Sequence, residues 1–177
     1  NDPIAAGGPI CPGAWAQLCS FHLLRGAESA AALARSLALV RAGTCSERLH
    51  LPTSKTDVLA LGCYRSWGCV CNGNRDLPCP YHAATTIMDE LMLRFALPDG
   101  TLPDDLPLFP DANGQWCTRA GFVNTIMEIC QRLDLPTVDE FGRSTIGEHV
   151  WRITGARHLA ALDIAIPIIM LLARWGS

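Results

Sequence analysis

The sequence predicts an α+β domain, mostly helical, with one small antiparallel sheet. Two patterns and one bulk property carry that expectation. Apolar residues recur at helical spacing in several separate stretches, whereas residues 37–64 break into short strand-like runs divided by turn formers. With 49% hydrophobic and 18% charged residues, the 177-residue chain is long and apolar enough for one buried core and too apolar for disorder.

Residues 12–24 place Trp15, Leu18, Cys19, His22 and Leu23 near helical spacing, and Pro12 suits a first helical turn. Gly26 should interrupt that helix just after Arg25, and the Ala-rich residues 28–35 should be helical again. Strands are expected over 37–41, 47–51 and 58–64, with Gly43 and Thr44 in one gap and Pro52 to Ser54 in the next. Ser54, Lys55, Thr56 and Asp57 then form the turn of the last hairpin. Residues 63–82 hold a Cys/His-rich loop within the single expected domain, residues 1–177. Residues 80–95 read as an amphipathic helix, with Ile87, Leu91 and Phe95 on one stripe. Four prolines and three aspartates make 97–110 a surface loop. Thr118 suits the N-cap of a helix reaching about Leu133, with Phe122, Ile126, Ile129 and Cys130 inward. A helix follows over 148–162, and Pro167 opens a last short one over 168–175.

Composition limits the function classes. The run from 164 to 173 is too short to span a bilayer and contains Pro167, and no signal peptide opens the chain, so no membrane partner is expected. The net charge of −3 argues against a general nucleic-acid binder, but the charge is uneven. Acidic residues gather between Asp89 and Glu140, while residues 142–177 carry four arginines against Glu148 and Asp163. Lys55 is the single lysine beside thirteen arginines, and lysine can change protonation state where arginine cannot.

His149 and Arg152 stand three apart in the run His-Val-Trp-Arg, which on a helix puts them on one face. A fixed cation beside a group that exchanges a proton near neutral pH suits a phosphate whose bonds are changing. Taken in chain order, Arg25, Lys55, His149, Arg152 and Trp175 are the residues suited to such chemistry.

Those residues make the chain resemble the catalytic domain of the tyrosine recombinase (phage integrase) family. Leu23, Leu24, Arg25, Gly26, Ala27 and Glu28 look like the first box, an arginine at a helix end with an acidic residue three places on. Ser54 to Asp57 look like the hairpin that presents the family's lysine, and His149 to Arg152 are similar to the His-x-x-Arg box. The run Leu171 to Trp175 resembles the third box, where the family has His or Trp, and the 26-residue gap from His149 to Trp175 suits it. The resemblance spans nearly the whole chain. It implies DNA strand breakage and rejoining through a 3′-phosphotyrosyl intermediate, as in site-specific recombination or integration by mobile elements, with no cofactor needed for catalysis. Arg25 and Arg152 would clamp the phosphate, and Lys55 would protonate the leaving 5′-oxygen. His149 would assist proton transfer, Trp175 would donate toward the phosphate, and Glu28 would orient Arg25. The partners implied are double-stranded DNA and further copies of the protein on it, at an intracellular, nuclear or nucleoid location. Type IB topoisomerases share this constellation.

Three features depart from the family pattern. Its nucleophilic tyrosine follows the third box, yet Tyr64 and Tyr81 both precede His149 and the chain stops two residues past Trp175. The expectation is a catalytic-domain fragment that holds a phosphate without cutting DNA. The family's separate DNA-clamping domain is also missing, and Ala173 stands where glycine is usual.

Nine cysteines, an odd number with no secretory signal, read as reduced thiols with scope for a metal. Cys69, Cys71, Cys79 and His82 supply soft ligands at short spacing for a structural zinc, with Cys63 as a further candidate. A zinc-stabilised, non-catalytic DNA- or protein-binding module is the alternative this loop supports.

Overall fold

The computed structural model describes residues 1–51, 62–74, 76–147 and 149–175. Lys55 and its expected hairpin turn lie outside the described residues, as does Glu148. The fold is α+β, as the sequence predicts. Among the described residues it has six α-helices: α1 (Pro12–Phe21), α2 (Gly26–Ala30), α3 (Pro80–Phe95), α4 (Arg119–Arg132), α5 (Val150–Ala161) and α6 (Ile166–Ala173). A three-stranded antiparallel sheet, ordered β1 (Leu37–Val40), β2 (Ser46–Leu51), β3 (Cys63–Gly68), follows α2 in the chain.

Several boundaries differ from the sequence reading. The Ala-rich stretch does not form one helix. It yields the short α2 and a 3-10 turn, Ala34–Ser36, because the chain extends at Leu33 to bridge Pro107. Among the described residues the third strand runs Cys63–Gly68, past the expected end at 64, with Cys63, Arg65 and Trp67 pairing inward against Leu51, Leu49 and Glu47; residues 58–61 of the expected strand lie outside the described residues. The Cys/His-rich loop is therefore only 69–79, with a strand before it and α3 after it. Helices α3 and α4 match expectation, and the Thr118 hydroxyl caps α4 by accepting from the Gly121 N–H at 2.9 Å.

The main core packs α1 against α3, α4 and the sheet. Trp15 is its centre: it stacks on Phe122 at 5.1 Å and meets Trp151 edge-on at 5.2 Å. A second cluster, Leu23, Leu159, Ile169 and Ala173, ties α5 and α6 to the end of α1. Gly155 lets the α5 backbone lie directly on α1, for a Cβ there would fall 1.9 Å from the Ser20 carbonyl oxygen.

The helix ends prepare the site. Helix α1 closes with Leu24 N–H bonding to Cys19 O and Leu23 N–H to Ser20 O, with Leu23 left-handed at φ 53. Helix α6 closes the same way, through Trp175 to Met170 O and Arg174 to Leu171 O, with Arg174 at φ 53. Both endings turn the chain sharply, and the carbonyls of His22, Leu23 and Ala173 are taken up by arginine side chains.

Candidate phosphate-binding and metal sites

Four guanidiniums gather where these helix ends meet the inner face of β3. Arg25 is the N-cap of α2, and its backbone N–H donates to Glu28 Oε2 at 2.9 Å, half of a capping box. Arg152, three residues into α5, is buried at 3% exposure. Its Nε donates to Leu23 O at 3.2 Å and its Nη2 to Ala173 O. Arg65, inward on β3, donates from Nη1 to His22 O. Arg174 Nη1 and Arg25 Nη1 lie 3.8 and 4.0 Å from the same carboxylate oxygen, Glu28 Oε1.

The cluster is therefore rich in positive charge: four arginines around one glutamate. Burial, followed by repulsion from Arg25, pulls the Arg152 pKa down to about 10 against the attraction of Glu28. Burial likewise lowers Arg65. At neutral pH both remain cationic. A chain of net charge −3 thus concentrates cations at one partly covered point.

The structure unites only part of the expected constellation. Arg25, Arg152 and Glu28 meet, although Arg25 begins α2 and does not end α1. Helix α5 starts one residue after His149, which is an exposed N-cap, while Arg152 turns inward. Trp175 follows Arg174 and is 41% exposed. Arg65 and Arg174 were not foreseen. Their signal was an inward strand position and the place next to Trp175, both invisible until β3 and the end of α6 are fixed. Beneath them His22 Nε2 and Glu47 Oε1 form a fully buried pair at 2.7 Å, behind the His22 carbonyl that Arg65 grips.

The second site forms where β3 runs into α3. The ligand atoms of Cys69, Cys71, Cys79 and His82 all lie within 4.8 Å of one another. Individual separations are 3.4 Å for Cys69 to Cys71, 3.8 Å for Cys69 to Cys79, and 3.4 Å for Cys71 Sγ to His82 Nδ1. Four tetrahedral ligands about 2.1–2.3 Å from an ion stand roughly 3.4–3.8 Å apart, so this set could hold a metal ion. Cys79 caps the N-terminus of α3. Burial raises its pKa, but hydrogen bonds from the backbone N–H groups of His82 and Val70 outweigh that and bring it down to about 6. Cys63 is not part of this set: its Sγ lies 2.8 Å from Arg174 Nη2, in the arginine cluster.

The chain matches no protein-family model and no curated protein. Function therefore rests on the two sites. No helix among the described residues is long and apolar enough to cross a membrane. An apolar cavity of about 170 Å³, lined by Trp15, Phe122, Ile126 and Trp151 among others, lies in the α1–α4 region and contributes little polar chemistry.

Proposed function

We propose that the arginine cluster binds a backbone phosphate of DNA, and that the chain carries the phosphate-clamping part of a tyrosine-recombinase-like domain for DNA strand breakage and rejoining. One observation carries the reading. Arg25 and Arg152 come from distant boxes of the resemblance and meet around Glu28, the acidic residue of the first box. Rigid guanidiniums held by backbone carbonyls are suited to charge building up on phosphate oxygens. Lys55 as general acid and His149 as proton carrier complete the proposed machinery. A type IB topoisomerase-like enzyme would use the same groups.

Neither tyrosine serves as nucleophile in this arrangement. Tyr64 is on the face of β3 opposite Cys63 and Arg65, stacked on His50 at 4.5 Å, and Tyr81 packs with Cys71 and Cys79. Residues 1–177 are therefore expected to bind DNA without cutting it. Fluorescence anisotropy with a duplex oligonucleotide tests this. Binding should weaken with salt, and Arg25→Ala should reduce it on the order of tenfold while leaving the fold intact. DNA affinity that ignores Arg25→Ala would sink the reading.

The Cys69, Cys71, Cys79 and His82 set supports a second element of the proposal, a structural zinc that pins the loop 69–79. Only a small cluster packs that loop, Cys71 and Cys79 with Tyr81 of α3. Cobalt substitution checks it: a tetrahedral thiolate site gives strong visible absorption, and an octahedral or absent site does not. Bound zinc without any DNA affinity would favour a zinc-stabilised, non-catalytic protein-binding module.

A further inference from the structure

We propose that Arg174 contacts the phosphate alongside Arg25, and that the cluster is built for a phosphate group carrying two negative charges at one point. This deepens the phosphate-binding reading and rests on it. Arg25 Nη1 and Arg174 Nη1 stand 4.0 and 3.8 Å from Glu28 Oε1. Both distances exceed hydrogen-bond reach, and among the described residues Arg25 Nη1 and Glu28 Oε1 are buried without a hydrogen-bond partner. Two guanidiniums from opposite ends of the chain thus surround one oxygen position without being satisfied by it. The carboxylate marks where they gather negative charge, and an entering phosphate oxygen meets donors that Glu28 leaves uncommitted.

Arg65 and Arg152 act differently. Their bonds go to the carbonyls of His22, Leu23 and Ala173, which holds both as fixed cations close to Arg25 and Arg174. Four guanidiniums against Glu28 leave three positive charges. A phosphodiester would neutralise one of these and a phosphate monoester two. The same second charge develops on a phosphodiester as an oxygen nucleophile adds to phosphorus, so an arginine that answers it would favour the transition state over the resting substrate.

Arg174 lends itself to a clean test. Its φ of 53 is a conformation that glycine adopts freely, so Arg174→Gly removes the guanidinium while keeping the end of α6. Arg174→Lys keeps the charge without the fork. Residues 1–177 would be titrated at mildly alkaline pH with inorganic phosphate, a dianion, and with dimethyl phosphate, a monoanion, following amide chemical shifts. The wild-type chain should bind inorganic phosphate on the order of tenfold more tightly, and Arg174→Gly should erase that margin by weakening inorganic phosphate far more than dimethyl phosphate. Arg174→Lys should recover part of it. Equal affinity of the wild-type chain for the two anions, or a margin that survives Arg174→Gly, would overturn the proposal. Failure of both anions and of DNA to bind at all is a separate result, which removes the phosphate-binding reading itself. Oligonucleotides ending in a 3′-phosphate or a 3′-hydroxyl identify the source. A gain from the 3′-phosphate that exceeds free phosphate points to a nucleic-acid end, and equality points to free phosphate; either upholds the preference for two charges.

Discussion

The metal-ligand set and the arginine cluster are built in opposite ways. The first draws all four ligands from residues 69–82, one loop and the first turn of α3. The second draws Arg25, Arg65, Arg152 and Arg174 from nearly the full length of the chain and exists only because α1, α5, α6 and β3 pack together. A local site needs its loop and an ion. A distributed site needs the whole fold, so packing changes should reach it and spare the other.

The largest expected effect separates the two from the metal side. Cys79→Ser removes one of four ligands from a site whose apparent binding energy would be about 10–16 kcal/mol, so zinc affinity should fall more than about a hundredfold. Phosphate affinity of the arginine cluster should stay unchanged, since β3 remains paired with β2 along its whole length. Parallel zinc and phosphate titrations check both halves. Loss of both would mean that the loop also shapes the arginine cluster.

Arg152→Met probes the distributed site. It strips donors from the Leu23 and Ala173 carbonyls at a position only 3% exposed. Each buried acceptor left bare costs about 1–3 kcal/mol, so urea unfolding should show a loss of about 2–6 kcal/mol, along with lost phosphate binding. A milder version is Gly155→Ala. Its Cβ would meet the Ser20 carbonyl at 1.9 Å and push α5 off α1, costing about 1–3 kcal/mol. Zinc affinity should survive both substitutions, and a matching fall in zinc binding would break the contrast.

Legibility in the sequence follows the same division. The metal set could be read from spacing alone, because ligands a few residues apart in a short loop have few other places to go. Helices α3 and α4 were legible for a similar reason, with strong periodicity and explicit start signals at Pro80 and Thr118. The arginine cluster was half legible. Arg25 and Glu28 came from the family resemblance, and Arg152 from helical spacing and the resemblance together, whereas cysteine spacing added Cys63 to the wrong site and apolar periodicity put His149 inside a helix it only precedes. Arg65 escaped because a strand boundary shifted by a few residues changes which residues face inward. Arg174 escaped because an arginine in a left-handed helix end looks, in sequence, like any residue before a tryptophan.

The thiols carry the smallest effect and sharpen the contrast at the level of one residue type. Backbone N–H groups bring Cys79 down to about 6, whereas burial pushes Cys19, on α1 and fully buried in the main core, up to about 12 despite a hydrogen bond with Ser29. The sign for Cys19 is fixed by linkage. Its folded pKa lies above the ordinary 9.0, so the fold favours the neutral thiol. Its contribution is intact below pH 9.0 and is lost as pH rises from there toward about 12, because the unfolded chain releases the proton first. Cys19→Ala should therefore start from a less stable fold but lose less stability across that alkaline range than the wild-type chain. Urea unfolding at a series of pH values measures it. Equal alkaline slopes would mean that solvent reaches Cys19 and that the core around Trp15 is looser than its packing implies, which would weaken the support that α1 gives to the arginine cluster.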